Sequence, residues 1–220
     1  MTNNNKNPNS KLIYVLLLAV LSSAQSYGQS DNILWSSVQF RKKFNPQWSL
    51  QLQPIVRFDE DISSYQNASL DISVKRNLGA GWHVQALSRT WSMPNRSDRQ
   101  FLWFDVGHNT TIPSLKIAVT NRLRYHHAFD IGDFVDLDYF RYILQFVPTN
   151  TWKLKPTFAY ERWIILNDVL IHRTARIETG LRYKFNDTFG LNAMWRREID
   201  TDSENNITRN LWVVAFIYNM

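Results

Sequence analysis

WSLQLQPIVRFD, residues 48–59, alternates apolar and polar side chains with a period of two. Trp48, Leu50 and Val56 lie on one face of this pattern. The other face carries two glutamines and Arg57. Because successive side chains of a β-strand point to opposite sides, residues 48–58 are predicted to form a strand with one apolar and one polar face. A helix would spread the same polar residues around its whole circumference.

The same alternation recurs along the chain and predicts ten further strands. They cover residues 34–44, 68–76, 82–91, 100–110, 115–125, 137–147, 152–163, 173–185, 189–199 and 207–220. Pro54 and Pro156 fall inside two of the runs, and a proline has no amide hydrogen to donate to a ladder. We therefore expect β-bulges at these two prolines.

The connections between the predicted strands alternate in length. Short turns are predicted at 45–47, 77–81, 112–114, 148–151 and 186–188, and longer polar segments at 59–66, 92–99, 126–136, 164–170 and 200–206. Outer-membrane barrels show this alternation, with the short turns in the periplasm. The pattern predicts an all-β, antiparallel up-and-down transmembrane β-barrel of ten to twelve strands. Twelve is favoured over eleven because bacterial single-chain barrels have even strand numbers, which leaves 34–44 as a possible segment outside the wall.

The N-terminus has the layout of a secretory signal peptide. Lys6 and Lys11 precede an apolar run at 12–21, which is shorter than the roughly 20 residues that a spanning helix needs. Small residues allow cleavage after Ala24 or after Gly28, and we favour Gly28. The predicted organisation is a signal peptide over 1–28 and an outer-membrane β-barrel domain over 29–220.

Composition excludes several classes of function. The chain has no cysteine, which excludes a lipoprotein anchor, disulfides and thiolate chemistry. The formal charge is +6, but lysines and arginines are spread along the whole chain, so we expect no binding of nucleic acid. Gly-rich phosphate loops, zinc patterns and G-x-S-x-G elbows are missing from the sequence, and we expect no cofactor.

Aromatic residues near the ends of the apolar faces favour a membrane barrel over a soluble one, in which the charged face would be solvated outside. Trp48 and Phe58 are ten residues apart. That spacing is about 33 Å along a strand, or roughly 25 Å after tilt, which matches the apolar band of a bilayer. We expect outer-membrane lipid around the wall. The C-terminal strand, residues 212–220, resembles the signal read by the barrel-assembly machinery, although it ends in Met220 instead of the usual Phe.

In a membrane barrel the polar faces line the lumen and form a network of mixed charge, because an unpaired charge in a narrow lumen is costly. The predicted network consists of Arg57, Arg89, Arg122, Arg124, Arg141, Glu161, Arg176, Glu178 and Arg182.

A second group of titratable residues is predicted at the outer rim, within and beside the segment 126–136. The candidates are His126, His127, Asp130 and Asp133. Imidazole and carboxylate are suited to acid–base catalysis or to metal binding. Adjacent histidines on a strand point to opposite sides, so they make a poor chelating pair, and no serine accompanies them in the segment. We expect no metal site and treat a polar extracellular loop as the default.

Several segments resemble the uncharacterised outer-membrane barrel family called domain of unknown function 2490, of the type found in Bacteroidota. The residues that carry the resemblance are Leu34 and Trp35, 48–59 (WSLQLQPIVRFD), 121–125 (NRLRY), 140–146 (FRYILQF), 155–163 (KPTFAYERW) and 173–185. The resemblance covers nearly the whole mature chain and implies the fold and an outer-membrane location. It implies no activity.

Together these observations predict a non-enzymatic outer-membrane barrel, either structural or a narrow pore that prefers anions because arginines line it. One alternative is a lipid-modifying or hydrolytic enzyme with a site at the rim. Another is a binding module that acts through its extracellular loops.

Overall fold

The structure, a computed structural model, describes residues 32–94, 98–130, 137–165, 174–200 and 208–220. Residues 31–220 form one compact unit. The predicted signal peptide lies outside the described residues, and its cleavage site stays a prediction. Among the residues that are described, no helix is both long and apolar enough to cross a bilayer.

Eleven strands make up the described part of the chain. They are β1 (Asn32–Lys43), β2 (Trp48–Asp59), β3 (Ser64–Gly79), β4 (Trp82–Ser92), β5 (Arg99–Ile112), β6 (Ile117–Asp130), β7 (Leu137–Pro148), β8 (Leu154–Ile165), β9 (Thr174–Lys184), β10 (Phe189–Asp200) and β11 (Thr208–Asn219). Each of the eleven alternating segments in the sequence corresponds to one of them. The all-β prediction is confirmed.

The strands form a closed barrel in which each strand pairs with its neighbours in sequence. All sequential pairs are antiparallel, and β1 closes the barrel against β11 in parallel, with Ser36 opposite Val214. Eleven strands fall within the predicted range, but the preference for twelve is wrong, and segment 34–44 belongs to the wall. An odd number of up-and-down strands sends the first and last in the same direction, so only a parallel pair can close the barrel.

The connections separate the two ends of the barrel. The short-turn end carries 44–47, 80–81, 113–116, 149–153, 185–188 and the C-terminus. The opposite end, called the loop end, carries the turn 60–63 and the strand ends Ser92, Arg99, Asp130, Leu137, Ile165, Thr174, Asp200 and Thr208. The predicted long segment 59–66 is wrong, because β2 and β3 continue to Asp59 and Ser64. The turn between them places Glu60, Asp61 and Ile62 at positive φ.

The predicted bulges at the two prolines are also wrong. Pro54 pairs in unbroken register with Leu70, and Pro156 pairs in unbroken register with Leu181. On its other side β2 pairs with β1 on either side of Pro54 but not at it, and the β7–β8 pairing ends at Phe158. On one side of each proline the pairing with the neighbouring strand is interrupted. The proline's missing N–H therefore breaks no ladder hydrogen bond there, and no bulge is needed.

The two faces of the wall differ in chemistry, and this difference positions the candidate site. Large apolar side chains lie on the outer face, where Leu70 is 45% exposed and Phe104 is 54% exposed. Charged side chains point inward and are buried, including Asp71, Arg124 and Glu161. The inside of the barrel is thus polar and its outside apolar, the reverse of a soluble barrel with an apolar ligand cavity.

Candidate functional site

The barrel encloses a cavity of about 1920 Å³, which is room for tens of water molecules of ~30 Å³ each. Its lining extends from Lys43 and Met220 at the short-turn end to Tyr65 and Pro94 at the loop end. Among the described residues, thirteen arginines and lysines line it, against seven carboxylates. The lining therefore carries an excess of positive charge along its length.

Two acid–arginine pairs follow directly from strand register. Asp71 on β3 lies opposite Arg89 on β4, and both of its oxygens accept hydrogen bonds of 2.6 Å from that guanidinium. Asp105 on β5 accepts two bonds, of 2.6 and 2.8 Å, from Arg124 on β6. Such bidentate pairs fix both partners as well as neutralising them. A second arginine, Arg122, lies 3.4 Å from Asp105.

A larger network crosses β7 to β10. The Glu161 carboxylate accepts hydrogen bonds from Arg141 at 2.6 Å and from Arg176 at 3.1 Å. Arg176 also donates from Nε to Glu198 at 3.2 Å, and Arg196 pairs with Glu178. Each of these carboxylates lies directly opposite an arginine on the next strand. Charge therefore alternates from strand to strand across this part of the lumen.

The alternation fails between β6 and β7, where Arg124 lies directly opposite Arg141. Like charges at directly opposed positions are destabilising. Each of the two is held by a carboxylate on its far side, Arg124 by Asp105 and Arg141 by Glu161. This arrangement keeps both guanidinium groups in place beside the cavity.

Tryptophans stack on the arginines inside the lumen. Arg57 lies 3.7 Å from the ring centroid of Trp35 and 4.2 Å from that of Trp91. The guanidinium groups of Arg89 and Arg124 lie 4.6 and 4.2 Å from the ring centroid of Trp103. Guanidinium groups favour such aromatic faces because their flat, weakly hydrated cation meets the negative face of the ring.

These contacts continue around the inside of the barrel. Arg141 and Arg176 lie over Trp163, which stacks on Tyr139, and Arg196 lies over Trp35. We call the set the lumen ring; its members are Trp35, Arg57, Arg89, Trp91, Trp103, Arg124, His126, Tyr139, Arg141, Trp163, Arg176 and Arg196. All twelve line the cavity. The ring lines the part of the lumen nearer the loop end with side chains that other side chains hold in place.

The sequence profile described as a protein of unknown function, DUF2490, matches residues 32–209. The chain belongs to this family. The match begins at the first residue of β1 and ends at the second residue of β11, so it covers ten of the eleven strands. Comparison with curated proteins and with solved structures found no match. The resemblance seen in the sequence is confirmed, and the family description assigns no activity.

The structure brings together most of the residues predicted for the lumen of this DUF2490 barrel. The eight that line the cavity are Arg57, Arg89, Arg122, Arg124, Arg141, Glu161, Arg176 and Glu178. Arg182 lies on the same face of β9 as Glu178, nearer the short-turn end. Sequence reasoning missed the inward tryptophans, because it considered aromatic residues only near the ends of the apolar faces. The alternation of side chains along a strand could have identified them, because Trp103 lies on the same strand face as Asp105 and Trp163 lies on the same face as Glu161.

The predicted rim cluster does not form one site. His126 and His127 lie on β6 and not in a loop. The His126 side chain is inside the lumen, 3% exposed, with its ring 4.0 Å from that of Tyr139 and 4.9 Å from that of Trp103. It packs as a member of the lumen ring.

His127 lies on the outer face, near the loop end. Its Nδ1 is 2.8 Å from Oδ1 of Asp138, which also accepts a 2.7 Å hydrogen bond from the Tyr125 hydroxyl. The Asp130 side chain and Asp133 lie outside what the structure describes. Within the described ranges, no group of three or more His, Asp or Glu side chains is placed to hold a metal ion.

Proposed function

We propose that this DUF2490 protein is an outer-membrane β-barrel whose lumen forms a narrow passage for small anions. The observation that carries the proposal is the cavity, which reaches residues of both barrel ends and is lined, among the described residues, by almost twice as many cationic as anionic side chains. A pore lined by excess arginine and lysine favours anions electrostatically.

The outer wall supports the membrane location. Among the exposed apolar side chains are Phe104, Leu123, Ile164 and Phe216, each about half exposed. Contiguous apolar surface of this kind is unfavourable in water and favourable in the hydrocarbon of a bilayer. Closure leaves no unpaired strand edge in the wall, which a spanning sheet requires. We expect outer-membrane lipid to cover this wall.

Insertion of such a barrel depends on assembly machinery, and β11 is the segment that we expect it to recognise. Its outer face carries Trp212, Phe216 and Tyr218 and its inner face carries Leu211 and Val213, so both faces are apolar. We infer an export route through a signal peptide followed by assembly in the outer membrane.

The test is the ion selectivity of the purified barrel in a planar bilayer, measured as the reversal potential under a KCl gradient. We expect single-channel steps and a preference for chloride. Arg41 lines the cavity near the short-turn end, while Lys42 is the next residue and lies on the opposite face of β1. Arg41→Glu is expected to shift the reversal potential toward cation selectivity.

Lys42→Glu is the matched control, because it makes the same charge change on the outer face and should leave the reversal potential unchanged. Equal shifts in both variants would show that surface charge, and not the lumen, sets the selectivity. An absence of conductance in correctly folded protein would overturn the passage and leave a structural barrel.

A further inference from the structure

Arg57 has an environment that distinguishes it from the other arginines of the lumen ring. Its guanidinium lies between two indoles, with ring centroids 3.7 and 4.2 Å away at Trp35 and Trp91. The side chain is 5% exposed and lines the cavity. Two aromatic faces hold the planar cation in one orientation, so its hydrogen-bonding edge is preorganised.

The positive charge of Arg57 is not neutralised by the side chains around it. Among the described residues no carboxylate forms an ion pair with it, and its buried Nε has no hydrogen-bond partner. Arg89, Arg176 and Arg196 are close enough to act on it electrostatically, and Asp71 opposes them. Both Asp71 oxygens already accept hydrogen bonds from Arg89. A buried cation in an excess of positive charge is costly unless an anion accompanies it.

The neighbouring unpaired groups are also donors. The indole nitrogens of Trp35 and Trp91 are buried without a hydrogen-bond partner in the part of the chain that is described. An indole N–H can only donate, and so can a guanidinium. Arg57 lies directly opposite Trp35 on β1, and all three side chains border the cavity. The site therefore offers hydrogen-bond donors and positive charge, and the carboxylate of Asp59, two residues from Arg57 on the same face of β2, also lines the cavity.

We propose that Arg57, Trp35 and Trp91 form a binding site for an oxyanion, the phosphate, sulfate or carboxylate group of a small solute in the lumen. Arg57 is the principal ligand, since a guanidinium binds two oxygens of such a group at once. Oxyanions with several acceptor oxygens are favoured over chloride, because the donors are arranged in a fixed set. This inference deepens the proposed passage for anions by giving it a binding step.

The experiment is calorimetric titration of the full-length barrel in uncharged detergent with inorganic phosphate, at constant ionic strength balanced with chloride. We expect saturable binding to the unaltered protein, at least tenfold weaker in Arg57→Gln. Arg57→Lys should keep the charge but lose the two-point geometry, and so fall between the two. Titrations with sulfate and acetate distinguish which oxyanion is preferred.

Arg76→Gln is the matched control. Arg76 also lies over a tryptophan, 5.2 Å from the ring of Trp48, but it is exposed and outside the cavity. It should bind phosphate as the unaltered protein does. If Arg57→Gln does not fold, Trp35→Phe removes one donor while keeping an aromatic face for Arg57, and we expect it to weaken phosphate binding severalfold.

Absence of saturable binding, or equal binding in Arg57→Gln and Arg76→Gln, would overturn the site. The same preparations are then tested for conductance. Anion-selective current without phosphate binding would disprove the binding site and support the passage. Phosphate binding without current would support the binding site and disprove the passage. The two proposals can therefore fail separately.

Discussion

At the scale of single residues, the stability of the lumen depends on how the charge of each arginine is neutralised. Most arginines of the lumen ring have a carboxylate directly opposite on the next strand, as Arg89 has Asp71. Removing one partner of a buried pair leaves a charge without compensation, at a cost of about 3–5 kcal/mol. The cost depends on whether another group can take the place of the partner that was removed.

Asp71 and Arg89 are expected to differ in this respect. Arg57 is near enough to Asp71 to attract it, so Arg89→Met leaves the carboxylate a second cation. Asp71→Leu instead removes the carboxylate that offsets a cluster of arginines. We expect Asp71→Leu to reduce the free energy of unfolding by about 3–5 kcal/mol and Arg89→Met to reduce it by less. Urea unfolding, followed by gel mobility, measures both; a larger loss in Arg89→Met would contradict this account of Arg57.

At the scale of elements, the parallel pair of β1 and β11 decides the number of strands. A barrel with an even number of up-and-down strands would close through an antiparallel pair. Here Ser36 lies opposite Val214, and Val38 lies opposite Phe216, in one continuous register. The first strand therefore begins at the loop end, where β11 also begins.

Disulfide trapping tests this register, and the chain has no cysteine that could interfere. Ser36→Cys with Val214→Cys is expected to cross-link on oxidation, because directly opposed residues on neighbouring strands satisfy disulfide geometry. Ser36→Cys with Phe216→Cys moves the partner two residues, about 7 Å, along the same face and should not cross-link. Peptide mass spectrometry identifies the linked pair. Efficient linkage of the second pair alone would mean that β1 and β11 pair in a different register.

At the scale of the whole molecule, the closed wall combines an apolar exterior with a charged interior. Every strand contributes to both faces, so the arrangement exists only when the sheet is complete. The hydrogen bonds of β1 to both β2 and β11 complete it. Closed barrels of this kind resist detergent, because an opening strand would expose unpaired backbone groups.

Gel mobility of protein taken from isolated outer membranes tests closure and location together. We expect the unboiled protein to migrate faster than the boiled protein, since the folded barrel is compact in detergent. Deleting β1 (Asn32–Lys43) removes the closing strand and should abolish the fast band. Identical migration of boiled and unboiled protein, or recovery of the protein in the soluble periplasm, would contradict a membrane barrel.

The period-two alternation of sequences such as WSLQLQPIVRFD was sufficient to predict all eleven strands and the polar lumen, because strand geometry alone sends alternate side chains to opposite faces. Eight of the nine charged residues predicted for the lumen, from Arg57 to Glu178, line the cavity. Alternation carries no information about which strands pair or in what register. The parallel closure and the alternating ion pairs therefore depended on the tertiary structure. The stacking of Arg57 between Trp35 and Trp91 did so as well, since those residues lie on three different strands and meet only when the barrel closes.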